Sequence, residues 1–105
     1  MLGRLVNEVI ATEGFAYPWG DVRPALEGVD LFLINLECAL TARTERWHDR
    51  GKYKAFYFRG EPSVVNTLRI GRVNFACLAN NHLGDFGSDG LLETLDILHA
   101  AGIAH

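Results

Sequence analysis

The chain has 105 residues, is 49% hydrophobic and 22% charged, and carries a formal net charge of −3 with a pI near 5.7. That length fits one globular domain with a small core. The acidic balance argues against a sequence-independent hold on nucleic acid, which needs a dense Lys/Arg face to displace counterions, and no apolar run is long enough to cross a bilayer.

Leu5, Val6, Val9 and Ile10 recur at helical spacing, so the first dozen residues predict a short amphipathic helix. YPWGD, Tyr17 to Asp21, reads as a turn, with Asp21 placed to cap a short helix from Val22 to Leu26 that Gly28 ends. DLFLINL, Asp30 to Leu36, is an unbroken apolar run, as expected of a strand covered on both faces. From Thr41 to Lys54 the chain is polar and lacks periodicity, which predicts a long exposed loop of the kind that often carries function. AFYFR, Ala55 to Arg59, resembles a short strand, and Pro62 opens a helix with Val64, Val65 and Leu68 on one face and Gly71 as terminator.

VNFACLA, Val73 to Ala79, predicts a second buried strand, and SDGLLETLDILHAAG a helix with Ser88 as N-cap and Leu91, Leu95 and Leu98 on one face. Strands alternating with helices favour an α/β fold with a largely parallel sheet and crossover helices. Cys38 and Cys77 lie in or beside apolar runs without CxxC spacing or a secretory signal. They read as buried reduced thiols, and the chain as it stands as cytoplasmic.

Two strand ends discharge polar side chains: Asn35 and Glu37 after the first, and Asn80, Asn81 and His82 after the second. In a parallel sheet such ends share one edge, so Glu37, Asn81 and His82 can converge. A carboxylate and an amide oxygen are hard ligands for a divalent cation, and imidazole serves either a transition metal or acid–base work. Asparagines at strand ends also satisfy loop backbone groups, and residue types alone do not choose between these roles. Asp85, three residues after His82, is placed either to orient the imidazole or to cap the next helix. Among the basic residues near AFYF, Lys54 and Arg59 are the candidates for holding an anionic phosphate or carboxylate substrate. His99 with Glu93 and Asp96 reads as a solvated helix face, and His48 and Asp49 lie in the exposed loop.

The order MLGR (Met1 to Arg4), VNE (Val6 to Glu8), NLE (Asn35 to Glu37), KAFYFR (Lys54 to Arg59) and LANNHLGDFG (Leu78 to Gly87) resembles the CapA-type capsule-synthesis family. These are the poly-γ-glutamate biosynthesis, or PGA_cap, proteins, and the likeness spans essentially the whole chain. The family is similar to calcineurin-like metallophosphatases. The resemblance therefore implies an αββα sandwich, with a mostly parallel sheet, flanking helices and a metal centre at the strand ends. It implies Glu37 as a metal-bridging acid and Asn81 as the amide ligand of a divalent ion such as Mn, Zn, Fe or Mg. His82 would stand beside the scissile group as the catalytic imidazole, with Asp85 supporting it and Asn35 and Asn80 holding the loop.

Two departures qualify the match. Family members place a Gly-Asp pair, whose Asp is an expected metal ligand, on a strand just before the segment that begins this chain. They also carry later histidine ligands, beyond the AGIAH at which it stops. The resemblance thus implies that residues 1–105 are a single truncated N-terminal portion, lacking the first strand and the C-terminal half, with an incomplete metal site and no autonomous activity. An uncovered sheet edge then favours a homo-oligomer or a complementary chain, and membrane association would follow from an anchor placed upstream. The expected function is metal-dependent, phosphoesterase-like work in capsule or poly-γ-glutamate synthesis. The alternatives are a non-catalytic scaffold that holds an anionic polymer on Lys54 and Arg59, and a fragment without independent function.

Overall fold

The computed structural model describes residues 2–48 and 54–105. The helical spacing of the first dozen residues produces α1 (Leu5–Glu13), which ends at Gly14. Ile10 is its buried anchor, while Leu5 stays 69% exposed. YPWGDV forms a 3₁₀ turn (Tyr17–Val22) that runs into α2 (Arg23–Leu26), with Pro24 in the first turn where its missing N–H costs nothing. Asp21 does not cap α2. Val22 holds the N-cap position, without a side-chain bond.

Strand β1 (Leu33–Asn35) pairs in parallel with β4 (Phe75–Cys77), in the register Leu33↔Phe75, Ile34↔Ala76 and Asn35↔Cys77. Ala104 bridges in parallel to Phe75, so β4 lies between β1 and the end of the chain. A second parallel pair joins β2 (Ala39–Leu40) to β3 (Arg59–Gly60). After a 3₁₀ turn at Pro62–Val64 comes α3 (Val65–Ile70), and α4 (Gly87–Ala100) follows the loop after β4. Leu36, Cys38, Leu40, Leu68, Ala76 and Leu98 meet in the core between these elements. The class is mixed α/β with short parallel sheets and flanking helices, as the alternation predicts.

Several local expectations are corrected. The first strand is shorter than Asp30–Leu36 and is not covered on both faces, since Leu31 and Leu33 are 62% and 54% exposed. Among the described residues its ladder partner lies on one side only, and an open cleft flanks it on α1's side. Ala55–Phe58 lie outside β3: the Phe58 N–H goes to the Asp85 carboxylate, only its carbonyl joins the ladder, and paired residues start at Arg59. Ser88 is not the N-cap of α4. Phe86 occupies that position, and the buried stripe is Gly90, Thr94 and Leu98. Thr94 Oγ1 accepts from Leu40 N at 3.0 Å and lies 2.7 Å from Gly90 O, fastening α4 over β2. Cys38 is buried and its thiol pKa is pushed up to about 12 by burial, so it is inert. Cys77 is exposed rather than buried.

The chain leaving β2 is tied to α4 through Glu93, which accepts from the Thr41 hydroxyl and, at 3.1 Å, from Ala42 N–H. The Thr41 bond first and the Ala42 bond second hold the Glu93 carboxyl below its ordinary 4.5. A carboxyl depressed in the folded state stabilises above its unfolded pKa, and that contribution is lost as pH falls through the folded value. Glu93→Gln is therefore expected to lower Tm at neutral pH, by less than ~5 °C given its exposure, and to converge with wild type as pH falls through the folded carboxyl's lowered pKa. Thermal melts across that range check it; a gap that persists in acid would show that the carboxylate charge is not what fastens this segment.

Candidate functional site

The parallel register brings the carboxyl ends of β1 and β4 to one edge, and Asn80 clips them together. Its Nδ2 donates to Asn35 Oδ1 and to Leu36 O, each at 3.0 Å, while its Oδ1 accepts from His82 N at 3.0 Å. Asn35 passes the linkage on, its Nδ2 donating to Glu37 Oε1 at 2.8 Å. One unbroken run of amide bonds thus connects Glu37 to the backbone of His82. Asn35 and Asn80 support the loop, and their geometry needs both strand ends at the same height.

Asp85 settles into the orienting role and not the capping one. The turn from His82 to Asp85, closed by Asp85 N–H to His82 O at 3.2 Å, folds the carboxylate back onto the ring. Asp85 Oδ2 takes the His82 Nδ1–H at 2.9 Å and Phe58 N–H at 2.7 Å, and Lys54 Nζ donates to Oδ1. The Asp85 side chain is fully buried and that of His82 is 11% exposed. A buried carboxylate with three donors is satisfied, and it fixes the imidazole with Nε2 turned away from it. Phe58 closes the other side, its ring meeting His82 edge-on at 4.6 Å between centres. Sequence reasoning missed Phe58, whose signal was only its place in an apolar run.

Lys54 and Arg59 are both committed within the chain. Besides Asp85, the Lys54 amine donates to Asn81 O. Arg59 pairs with Glu61 and donates to Thr41 O at 2.9 Å, and its own carbonyl accepts from Asn7 Nδ2 at 2.7 Å. Asn7, within the VNE stretch, therefore braces β3. In the loop, Tyr57 OH lies 3.5 Å from His48 Nδ1; Asp49 falls outside the described residues. Glu93 turns inward to Thr41, whereas Asp96 and His99 are exposed on α4.

For a divalent cation the donor chemistry at the strand ends fits. Glu37 Oε2 and the Asn81 side-chain oxygen make no hydrogen bond among the described residues, and both are hard oxygen donors. Among the described residues no group of three or more His, Cys, Asp or Glu side chains is placed to hold a metal ion. Two clefts border the area. One, of about 500 Å³, is lined by Leu2, Val6, Trp19, Ile34, Asn35 and Glu37. The other, about 290 Å³, lies between Trp47, Lys54, Tyr57, Asn81 and Asp85. Among the described residues no helix is long and apolar enough to cross a membrane.

The family model described as bacterial capsule synthesis protein PGA_cap matches residues 1–105. Two Mycobacterium tuberculosis proteins, from strains CDC 1551 / Oshkosh and H37Rv, are each named a probable polyglutamine synthesis accessory protein. Both are 42% identical over 89 residues, which is 83% of this chain and 22% of theirs. The capsule biosynthesis protein CapA of Bacillus anthracis is 24% identical over 103 residues, covering 98% of this chain and 25% of its own. The chain thus spans about a fifth to a quarter of the length of these curated relatives.

Proposed function

The chain belongs to the bacterial capsule synthesis protein (PGA_cap) family, and on that premise we propose that it serves capsule or polyglutamate synthesis through a proton-transfer site beside a divalent cation, acting on a phosphoryl or related anionic centre. The names of its relatives support the process, and the His82–Asp85 pair supports the chemistry. The observation that carries the reading is the bonded run from Glu37 through Asn35 and Asn80 to His82. It keeps an acidic oxygen donor and a buried, oriented imidazole at one sheet edge, the usual seat of chemistry in parallel α/β proteins.

Asp85, an ionised acceptor, keeps the proton on His82 Nδ1. Nε2 is left to hold or release a proton at a leaving oxygen. Glu37 Oε2 and the Asn81 side-chain oxygen would hold the cation, which when bound supplies Lewis acidity toward the anionic centre. Lys54 donates to the Asp85 carboxylate and holds it in place. A scaffold that grips polymer with Lys54 and Arg59 is less well supported, since both cations already have internal partners.

Calorimetric titration of Mn²⁺ or Zn²⁺ tests the cation site. The expected result is saturable binding to the wild type that weakens about tenfold or more in Glu37→Ala and again in Asn81→Ala, with both variants folded by circular dichroism. Affinity indifferent to both substitutions would move the cation away from this edge and remove the reading's metal component.

A further inference from the structure

The segment Ala55–Phe58 has two faces. Tyr57 takes one, with the Arg46 guanidinium 5.2 Å and the Lys54 amine 5.6 Å from its ring centre. Phe56 and Phe58 take the other, their centres 6.3 Å apart and their planes within 18°, and Phe58 is the ring that meets His82. Phe56 is 56% exposed, and the Arg4 guanidinium lies over it at 5.6 Å. A ledge of phenyl rings therefore runs from the imidazole to an exposed arginine.

Arg4 is held there against its backbone preference. Its φ of 51° with ψ of −130° lies where glycine is at ease and a side chain is strained. Gly3 fixes the turn by close approach: at φ +102°, it backs onto Arg59 so tightly that a Cβ would stand 3.0 Å from that residue's N and O. Retained strain next to a site marks a residue whose side chain is wanted in that place. A guanidinium lying over a ring keeps its in-plane N–H donors available for a second partner, and its fork matches carboxylate and phosphate. Lys54 and Arg59 are committed to Asp85 and Glu61.

The geometry points to Arg4 as the outer anchor for an extended anionic ligand, a chain bearing more than one carboxylate or phosphate. The ligand lies along Phe56 and Phe58 with one anionic group at His82 and another on the Arg4 guanidinium. This deepens the reading of the His82 site and rests on it. Spacing between anionic groups, and not charge alone, then selects the ligand.

The test compares wild type, Arg4→Gly and Arg4→Lys by calorimetry, with γ-linked pentaglutamate and tripolyphosphate as extended probes and inorganic phosphate as the single anion. Arg4→Gly is expected to weaken binding of an extended probe about tenfold or more and to leave phosphate binding unchanged. Its Tm should stay the same or rise by a few °C, because glycine relieves the backbone (~4–8 °C per kcal/mol in a domain of this size). Arg4→Lys should fall between the two, keeping the charge and losing the fork. Loss confined to pentaglutamate identifies a polycarboxylate and loss confined to tripolyphosphate a polyphosphate; either supports the proposal. Equal affinity of Arg4→Gly and wild type for both extended probes, or no binding of either probe to the wild type, would overturn it. The underlying reading is checked separately by following the His82 ring signals in NMR during the phosphate titration. If those signals do not move while extended probes still depend on Arg4, the His82 assignment fails and the Arg4 site stands.

Discussion

Asp85→Ala is expected to cost about 3–5 kcal/mol of folding stability, the range for removing one partner of a buried, hydrogen-bonded charge pair. The carboxylate is fully buried and accepts from Lys54 Nζ, His82 Nδ1 and Phe58 N. Alanine would leave an ammonium that is 31% exposed on its side chain without its counter-charge, together with an unsatisfied amide and an unheld imidazole. Against a total of roughly 5–15 kcal/mol for a domain, this is a large fraction, and Tm should drop by more than ~10 °C. Lys54→Met leaves the fully buried carboxylate without its counter-charge but with two donors, and its cost should fall at the lower end of the same range, about 3 kcal/mol. In the double variant the costs should fall well short of additive, since the stranded ammonium is gone. Urea unfolding of the four proteins measures this. Additive costs would mean that Lys54 and Asp85 act separately and that the site is not one network.

That network was half legible in the sequence. The strand end at LANNH and the Asp three residues beyond His82 were visible, and parallel alternation placed Glu37 and His82 on a common edge. Spacing alone left Asp85 equally suited to capping α4 and to orienting the ring. The choice is made by groups far along the chain: Lys54 lies 31 residues before Asp85, and Phe58 27. The same distance in sequence hid the fate of Lys54, whose sequence neighbours gave no sign of an internal carboxylate. Arg59 had Glu61 close by, but its bond to Thr41 O, 18 residues back, needed the fold.

The fold was readable where periodicity was long enough. α1 and α4 have enough residues to show an apolar face, and their presence follows from pattern. β2 and β3 have two residues each, too few for alternation to register. They exist because Ala39 N–H reaches Phe58 O at 3.1 Å and Thr41 N–H reaches Gly60 O at 3.0 Å. The leucine spacing of α4 predicts Leu91, Leu95 and Leu98 as its inner face; Leu98 is buried there, and Gly90 and Thr94 complete the stripe. Gly90 is favoured by its own helix start, because a Cβ there would stand only 2.7 Å from Phe86 Cβ at the N-cap, and Thr94 by its bond to Leu40 N of β2. Small residues at tight approaches carry no hydrophobic signal.

Gly71 shows the same limit, and its substitution has an expected sign opposite to that given by local propensity. As a helix terminator with φ −74° and ψ −1°, it adopts a conformation open to any residue, so Gly71→Ala should stabilise by about 0.5–1 kcal/mol on backbone grounds. In the structure an added Cβ would stand 2.2 Å from Cζ2 and 2.4 Å from Cε2 of Trp19. That indole is not free to yield: its N–H donates to Thr67 O at 2.7 Å, and it meets Phe32 edge-on at 5.8 Å. Displacing it forfeits a part-buried hydrogen bond and packing against the core, so the expected outcome is a loss of about 2–4 kcal/mol. Trp47 is the second tryptophan of the chain, so a Trp47→Phe background isolates the emission of Trp19, which should shift to the red as the ring is exposed. Trp19 and Glu37 line the same cleft, so the indole forms part of the wall around the acid of the proposed cation site. A Gly71→Ala variant as stable as its parent, with unshifted emission, would mean that Trp19 has a second seat and that this wall does not set the geometry around Glu37.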